Sequence, residues 1–213
     1  MNNIVEKYHH FRQVGLGLNT KMMNCKEINI DIRTAGKKLK VLEQNTLILD
    51  DEQDIDIVMD FALFELLINN KNFIERYYEL DLPESVEENV LLEGKLNAFT
   101  SLFEVVEVEK ENCLINLIDV LDSDKKYSLI DIGFSQTCWI GILFFTRLIP
   151  LPEFNITGGV SFGFRREKKE KILNGFRFLQ LKSNKKIKSI DKYLYFYNQH
   201  RNFGEPIHKI EMI

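Results

Sequence analysis

The sequence predicts an α+β protein: an N-terminal helical bundle, a small antiparallel β-barrel of the SH3-like or OB-like kind, and basic C-terminal helices. Three observations carry that prediction. Between residues 101 and 164 the chain breaks into short apolar runs with period-two alternation, separated by polar turns. Before that stretch, apolar residues recur at three and four, the spacing of one helix face. After it, residues 165–213 return to helical spacing and hold 13 Lys or Arg against 5 Asp or Glu, a net of +8. The implied division is 1–99 helical, 100–164 β-module and 165–213 basic helical segment.

Residues 3–24 are expected to form the first helix, with Ile4, Tyr8 and Phe11 on one stripe. Gly15-Leu16-Gly17 is no phosphate loop, because a third glycine, a following Lys-Ser or Lys-Thr and a preceding strand are all missing. His9 and His10 are neighbours, so on a helix they diverge by about 100° and do not converge on one metal. Residues 28–43 read as a second helix through Ile32, Ala35, Leu39 and Leu42, although the alternation Ile28, Ile30, Ile32 also suits a strand, and residues 47–49 as a short extended piece. The run Asp50-Asp51-Glu52-Gln53-Asp54-Ile55-Asp56 opens a helix expected to reach about Ile68. Acids suit the free N–H groups and positive end of a first turn. Ile57, Phe61, Phe64 and Ile68 supply its buried face.

Glu52, Asp56 and Asp60 share another face of that helix and are the best metal-ligating candidates in the chain. They do not make an EF-hand loop. Counted from Asp50, Ile55 occupies the glycine position and Phe61 the twelfth. A helix start with a solvated acidic face is the plainer account. Residues 73–80 form another helical piece. Ser85-Val86-Glu87-Glu88 resembles a capping box and starts a helix reaching Phe99.

In the β-module, Phe103, Val105 and Glu107 share one face of the first strand, and Leu102, Glu104, Val106 and Val108 the other. Residues 110–112 are a break of hairpin length, 113–121 a second strand, 122–126 a turn and 127–132 a third strand. Residues 139–149 are almost wholly apolar, which predicts a strand covered on both faces. Pro150 and Pro152 have no N–H for a ladder and end it. Residues 154–164 supply a last strand or hairpin. Five short strands with tight turns suffice for a closed barrel. The apolar run 139–151 is too short for a membrane helix, which needs about 20 residues, so no membrane association is expected.

Arg165, Arg166, Lys168, Lys169 and Lys171 open the basic segment. Ile172, Phe176 and Leu179 predict one amphipathic helix, and Ile190, Tyr193, Leu194 and Tyr197 a final one. With Lys185, Lys186 and Lys188, those first cations are candidate nucleic-acid contacts. They would neutralise phosphates while Phe176, Phe178, Tyr193, Tyr195, Phe196 and Tyr197 offer stacking surfaces. The remainder of the chain holds 15 basic against 27 acidic residues, a net of −12. A basic helix is more often a solvated face, or one docked on such an acidic body.

Three cysteines, far apart and without a Cys-x-x-Cys, fit a reducing compartment and argue against a disulfide framework or zinc site. The first residues lack a basic segment followed by an apolar core, so no secretion signal is expected and the cytoplasm is the default. No nucleophile elbow, His-Glu-x-x-His, Walker loop, dinucleotide fingerprint or kinase set is present. No cofactor and no catalytic residue is assigned. The balance favours a non-enzymatic interaction or regulatory protein that self-associates or binds an unknown protein partner. The alternatives are nucleic-acid binding by the basic aromatic helices and a metal-dependent enzyme using the acidic cluster of residues 50–60.

Four segments carry a resemblance: residues 101–108, residues 129–135, Phe145-Thr146-Arg147-Leu148-Ile149-Pro150, and the Thr157-Gly158-Gly159 turn. Over residues 30–164 the chain is similar to an uncharacterised bacterial family found among cyanobacteria, which joins a helical N-terminal half to such a β-module. Similar segments accompany SEC-C zinc-binding motifs. This chain lacks that motif's cysteine cluster, so the resemblance implies no metal function and no activity. The basic segment falls outside it and is expected to be a lineage-specific addition.

Overall fold

The computed structural model describes residues 3–49, 54–122, 125–183 and 187–205. The chain divides into two compact units, His9–Asn97 and Met1–Tyr8 with Ala98–Ile213.

The first unit is helical. It takes in most of α1 (Asn3–Met23), then α2 (Ile32–Leu39), the hairpin β1 (Leu42–Glu43) and β2 (Thr46–Leu47), α3 (Asp54–Phe64), α4 (Phe73–Tyr78) and α5 (Val86–Leu96). Asp31 caps α2, its carboxylate accepting from Thr34 N at 2.9 Å, and that bond holds the acid below the usual carboxylate range. Helix α2 is shorter than the 28–43 expected. Lys40 turns left-handed at φ 61°, and Gln44 and Asn45, at φ 45° and 74°, make the two-residue turn of a hairpin. Helix α3 likewise stops at Phe64 and not at Ile68, because Ile68 pairs with Lys71 around left-handed Asn69 and Asn70. The complete capping box belongs to Asn72 and Glu75 at the start of α4. Ser85 does cap α5, accepting from Glu88 N at 3.1 Å, but the Glu88 carboxylate accepts instead from Glu84 N and from Lys21, both at 2.8 Å.

The second unit holds the barrel, whose strands are β3 (Phe99–Glu109), β4 (Leu114–Asp119), β5 (Lys125–Ile130), β6 (Leu143–Pro150) and β7 (Asn155–Phe164). They close in the order β3-β4-β5-β7-β6. That is the Greek-key arrangement of an OB-type barrel. Neighbouring strands are antiparallel except at the closure, where Leu129 and Asn155 pair β5 with β7 in parallel.

Two local features depart from simple alternation. Residues 127–132 do not form one strand. The strand ends at Ile130, Asp131 accepts from Phe134 N at 2.8 Å, and a short helix α6 (Ile132–Thr137) follows. Its Phe134, with Cys138 behind it, plugs one end of the barrel and joins Phe103, Val105, Ile115, Leu117, Leu129 and Phe144 in the interior core. In β3 a bulge at Val106 shifts the register between Val105, opposite Leu117, and Glu107, opposite Asn116. One extra residue flips the alternation. Val108 therefore packs on the core and Glu107 faces out, the reverse of the faces the bare period assigns.

A second core lies outside the barrel. After β7, α7 (Lys169–Ser183) and α8 (Ser189–Phe203) cover the outward side chains of β6 and β7. Phe145 stacks on Phe196 with ring centroids 4.4 Å apart and on Phe162 at 6.0 Å, while Tyr193 and Phe176 close around them. Each such ring pair contributes about 0.5–1.5 kcal/mol beyond the area it buries. The two helices meet at Gly175, where any Cβ would collide with the Tyr195 hydroxyl as it donates to Ile172 O at 2.7 Å.

Candidate functional site

The basic segment begins where β7 leaves the barrel, and several of its cations meet partners on this unit although Arg165 and Arg166 stay largely exposed. Glu104 lies on the outer face of β3, is only 8% exposed, and sits under that segment. Lys169 Nζ meets Glu104 Oε2 at 2.6 Å, and Arg166 Nε meets Oε1 at 3.3 Å. Burying a carboxylate is costly unless cations or hydrogen-bond donors meet it. Arg165 pairs with Glu205 at 2.7 Å, and the ammonium groups of Lys168 and Lys171 lie over the Phe203 ring, 5.8 and 4.9 Å from its centre. Lys188 is exposed at the start of α8. Lys185 and Lys186 lie outside the described residues.

The candidate stacking aromatics are used in the same way. Phe176, Tyr193, Phe196 and Tyr197 are buried in the outer core, and Tyr195 is partly buried with its phenol pushed up by that burial. Phe178 is the one of the six that stands exposed. The uncovered outward face of β4 and β5 carries a ladder of small polar groups. Asn116 Nδ2 donates to Glu107 Oε2, Ser128 Oγ to Asn116 Oδ1, and Asn155 Nδ2 to the Ser128 carbonyl, each at 2.8 Å. That ladder contains no ring on which a base could stack.

Of the acidic candidates, Glu52 lies outside the described residues, Asp56 is exposed and Asp60 is buried, both on α3. Among the described residues no group of three or more His, Cys, Asp or Glu is placed to hold a metal. All three cysteines are free thiols. Cys25 donates to Glu27 Oε2 at 3.2 Å, while burial pushes the Cys138 thiol up to about 11 and keeps it neutral.

Sequence reasoning passed over a further group. At the barrel end away from α6, a pocket of about 600 Å³ is lined by Phe99, Ser101, Asp119 and Tyr127 from the strands and by Phe176 and Lys192 from the helices. Ser101 Oγ donates to Asp119 Oδ1 at 2.6 Å inside it. An acid inside an apolar strand, as at Glu104 and Asp119, was the signal available.

One family model matches nearly the whole chain. The chain belongs to the family of unknown function DUF7986. Its match covers residues 1–210. The basic segment is therefore inside the family's extent, not an addition to it. No curated protein and no solved structure matches the chain. Among the described residues no helix is long and apolar enough to cross a membrane.

Proposed function

We propose that this protein is a non-enzymatic interaction or regulatory protein of the bacterial cytoplasm, and that it self-associates through α7. The carrying observation is on the outer side of that helix. Phe178 and Leu181, one turn apart, are 58% and 77% exposed, while Ile172, Leu173 and Phe176 are buried. The Phe178 ring carries the Lys182 ammonium 4.5 Å from its centre, Leu181 stands in water, and a second copy of the same helix offers the pair an apolar match. The free thiols support a reducing compartment. Light scattering on the full chain should give at least twice the chain mass, falling to monomer in a Phe178→Ser, Leu181→Ser double variant. A wild-type protein that stays monomeric throughout the micromolar range contradicts the proposal.

Nucleic-acid binding by the same helices has less support, since Arg165, Arg166 and Lys169 are ion-paired and Lys168 and Lys171 lie on Phe203. A cation already paired gains little from a phosphate and releases fewer counterions. Fluorescence anisotropy with single-stranded DNA and RNA across a salt series should show weak binding with a shallow slope. A slope demanding five or more phosphate contacts, in the sense of log affinity against log salt, would restore the nucleic-acid reading.

A further inference from the structure

The geometry points to a small-ligand site at the open end of the barrel, built for a heteroaromatic anion of mononucleotide size. The two barrel ends differ. One is filled by Phe134 of α6. At the other, the pocket between β3, β4 and β5 and the facing ends of α7 and α8 holds about 600 Å³, inside the roughly 300–1,000 Å³ of small-molecule sites.

Its walls differ in chemistry. Phe99 and Tyr127, with ring centroids 5.2 Å apart, form an aromatic wall that Phe176 extends from α7. A flat heteroaromatic ring stacks on such a surface whatever its substituents. The second wall is Asp119, 2% exposed and held in place because Oδ1 accepts from Ser101 Oγ at 2.6 Å, Leu121 N at 2.9 Å and Asp122 N at 3.2 Å. With Asp122 beside it, this carboxylate offers acceptors to amino or hydroxyl donors.

The third wall is basic. Helix α8 begins at the pocket with Ser189, and its N-cap residue, Lys188, gives the first turn no side-chain cap. Lys192 lines the pocket one turn further on. A helix start with a lysine beside it favours an anion. Thr100 lines the pocket too, and its carbonyl accepts from Lys192 Nζ, which fixes that ammonium beside the start of α8.

Carboxylates on the barrel side and positive charge on the helix side penalise a simple cation and a simple anion alike. A molecule with an anionic end, hydrogen-bond donors and a flat ring matches all three walls, and a nucleoside monophosphate has each of them.

Calorimetric titration of the full chain with AMP, GMP, CMP and UMP, and separately with adenosine and inorganic phosphate, tests the site. At least one monophosphate should bind saturably and about tenfold or more tighter than phosphate, the ratio expected when stacking and hydrogen bonds add to the anion contact. Gln180→Trp and Ser189→Trp, at exposed rim positions, should each fill the pocket and weaken binding about tenfold or more without lowering the melting temperature. Lys192→Met should weaken the nucleotide but not adenosine. Three results overturn the proposal: no saturable heat from any of the four nucleotides, phosphate binding as tightly as they do, or nucleotide binding that survives both tryptophan substitutions.

Discussion

Cutting the chain after Phe164 will give an aggregating or loosely packed protein, not a free barrel without its tail. Phe145, Phe162 and Phe164 project outward from β6 and β7 and are buried in the finished protein, where Tyr193, Phe196, Tyr197 and Phe203 of α8 meet them. Exposing one Phe forfeits about 1.5–3 kcal/mol, so three approach the whole stability of an ordinary domain, about 5–15 kcal/mol. The same cut removes Arg166 and Lys169 and leaves Glu104 without its cations. Residues 1–164 should bind a hydrophobic dye and melt without a cooperative transition. A soluble monomer of that fragment with a sharp melt would show that the helices are an appendage. Any test of the basic helices in nucleic-acid binding therefore belongs on the full chain.

Phe196→Ala should be the most damaging single change in the C-terminal helices. The ring is fully buried and meets Phe145, Phe164, Phe176 and Tyr195 at centroid distances of 4.4, 6.4, 5.4 and 5.2 Å. Truncating a core phenylalanine costs about 3–5 kcal/mol, which lowers the melting temperature by on the order of 10 °C at this chain length. Phe178→Ala, on the exposed side of α7, should stay within about 0.5 kcal/mol of wild type in a monomeric sample. Thermal melts of the two variants separate the docked ring from the exposed one. Equal, small shifts would contradict the outer core.

The α+β plan was legible because each part carries its own period. The strand runs from 101 to 164 alternate or stay apolar, and the closed barrel follows from their number and their tight turns. Strand order was less accessible. The choice between an SH3-like and an OB-like barrel depends on β7 inserting between β5 and β6, a long-range pairing that no local pattern records. The bulge at Val106 was invisible for a similar reason, since Val106 is apolar like its neighbours and only the partner strand shows the shift. Helix α6 hid in a strand-like run. Its one marker was Asp131, three residues before Phe134, which the apolar Leu129, Ile130 and Ile132 outweighed.

For the sites, composition carried less information than position. The net of +8 after residue 164 is real, yet sequence alone does not tell a cation aimed at a phosphate from one aimed at Glu104. Aromatic spacing held the clue. Tyr193, Phe196, Tyr197 and His200 fall on one side of α8, as residues packed on a core do, and all contact Phe162 or Phe145. The pocket at the barrel mouth was out of reach, because its lining comes from β3, β4, β5, α7 and α8 and shares no sequence window.

The docking of α7 and α8 on the barrel is tested most directly by native-state amide hydrogen exchange. Amides of residues 193–197 in α8 and 144–148 in β6 should be protected to the same degree, since both would open only when the outer core opens. Exchange in α8 that is orders of magnitude faster, with β6 still protected, would contradict the account and return the basic helices to solvent.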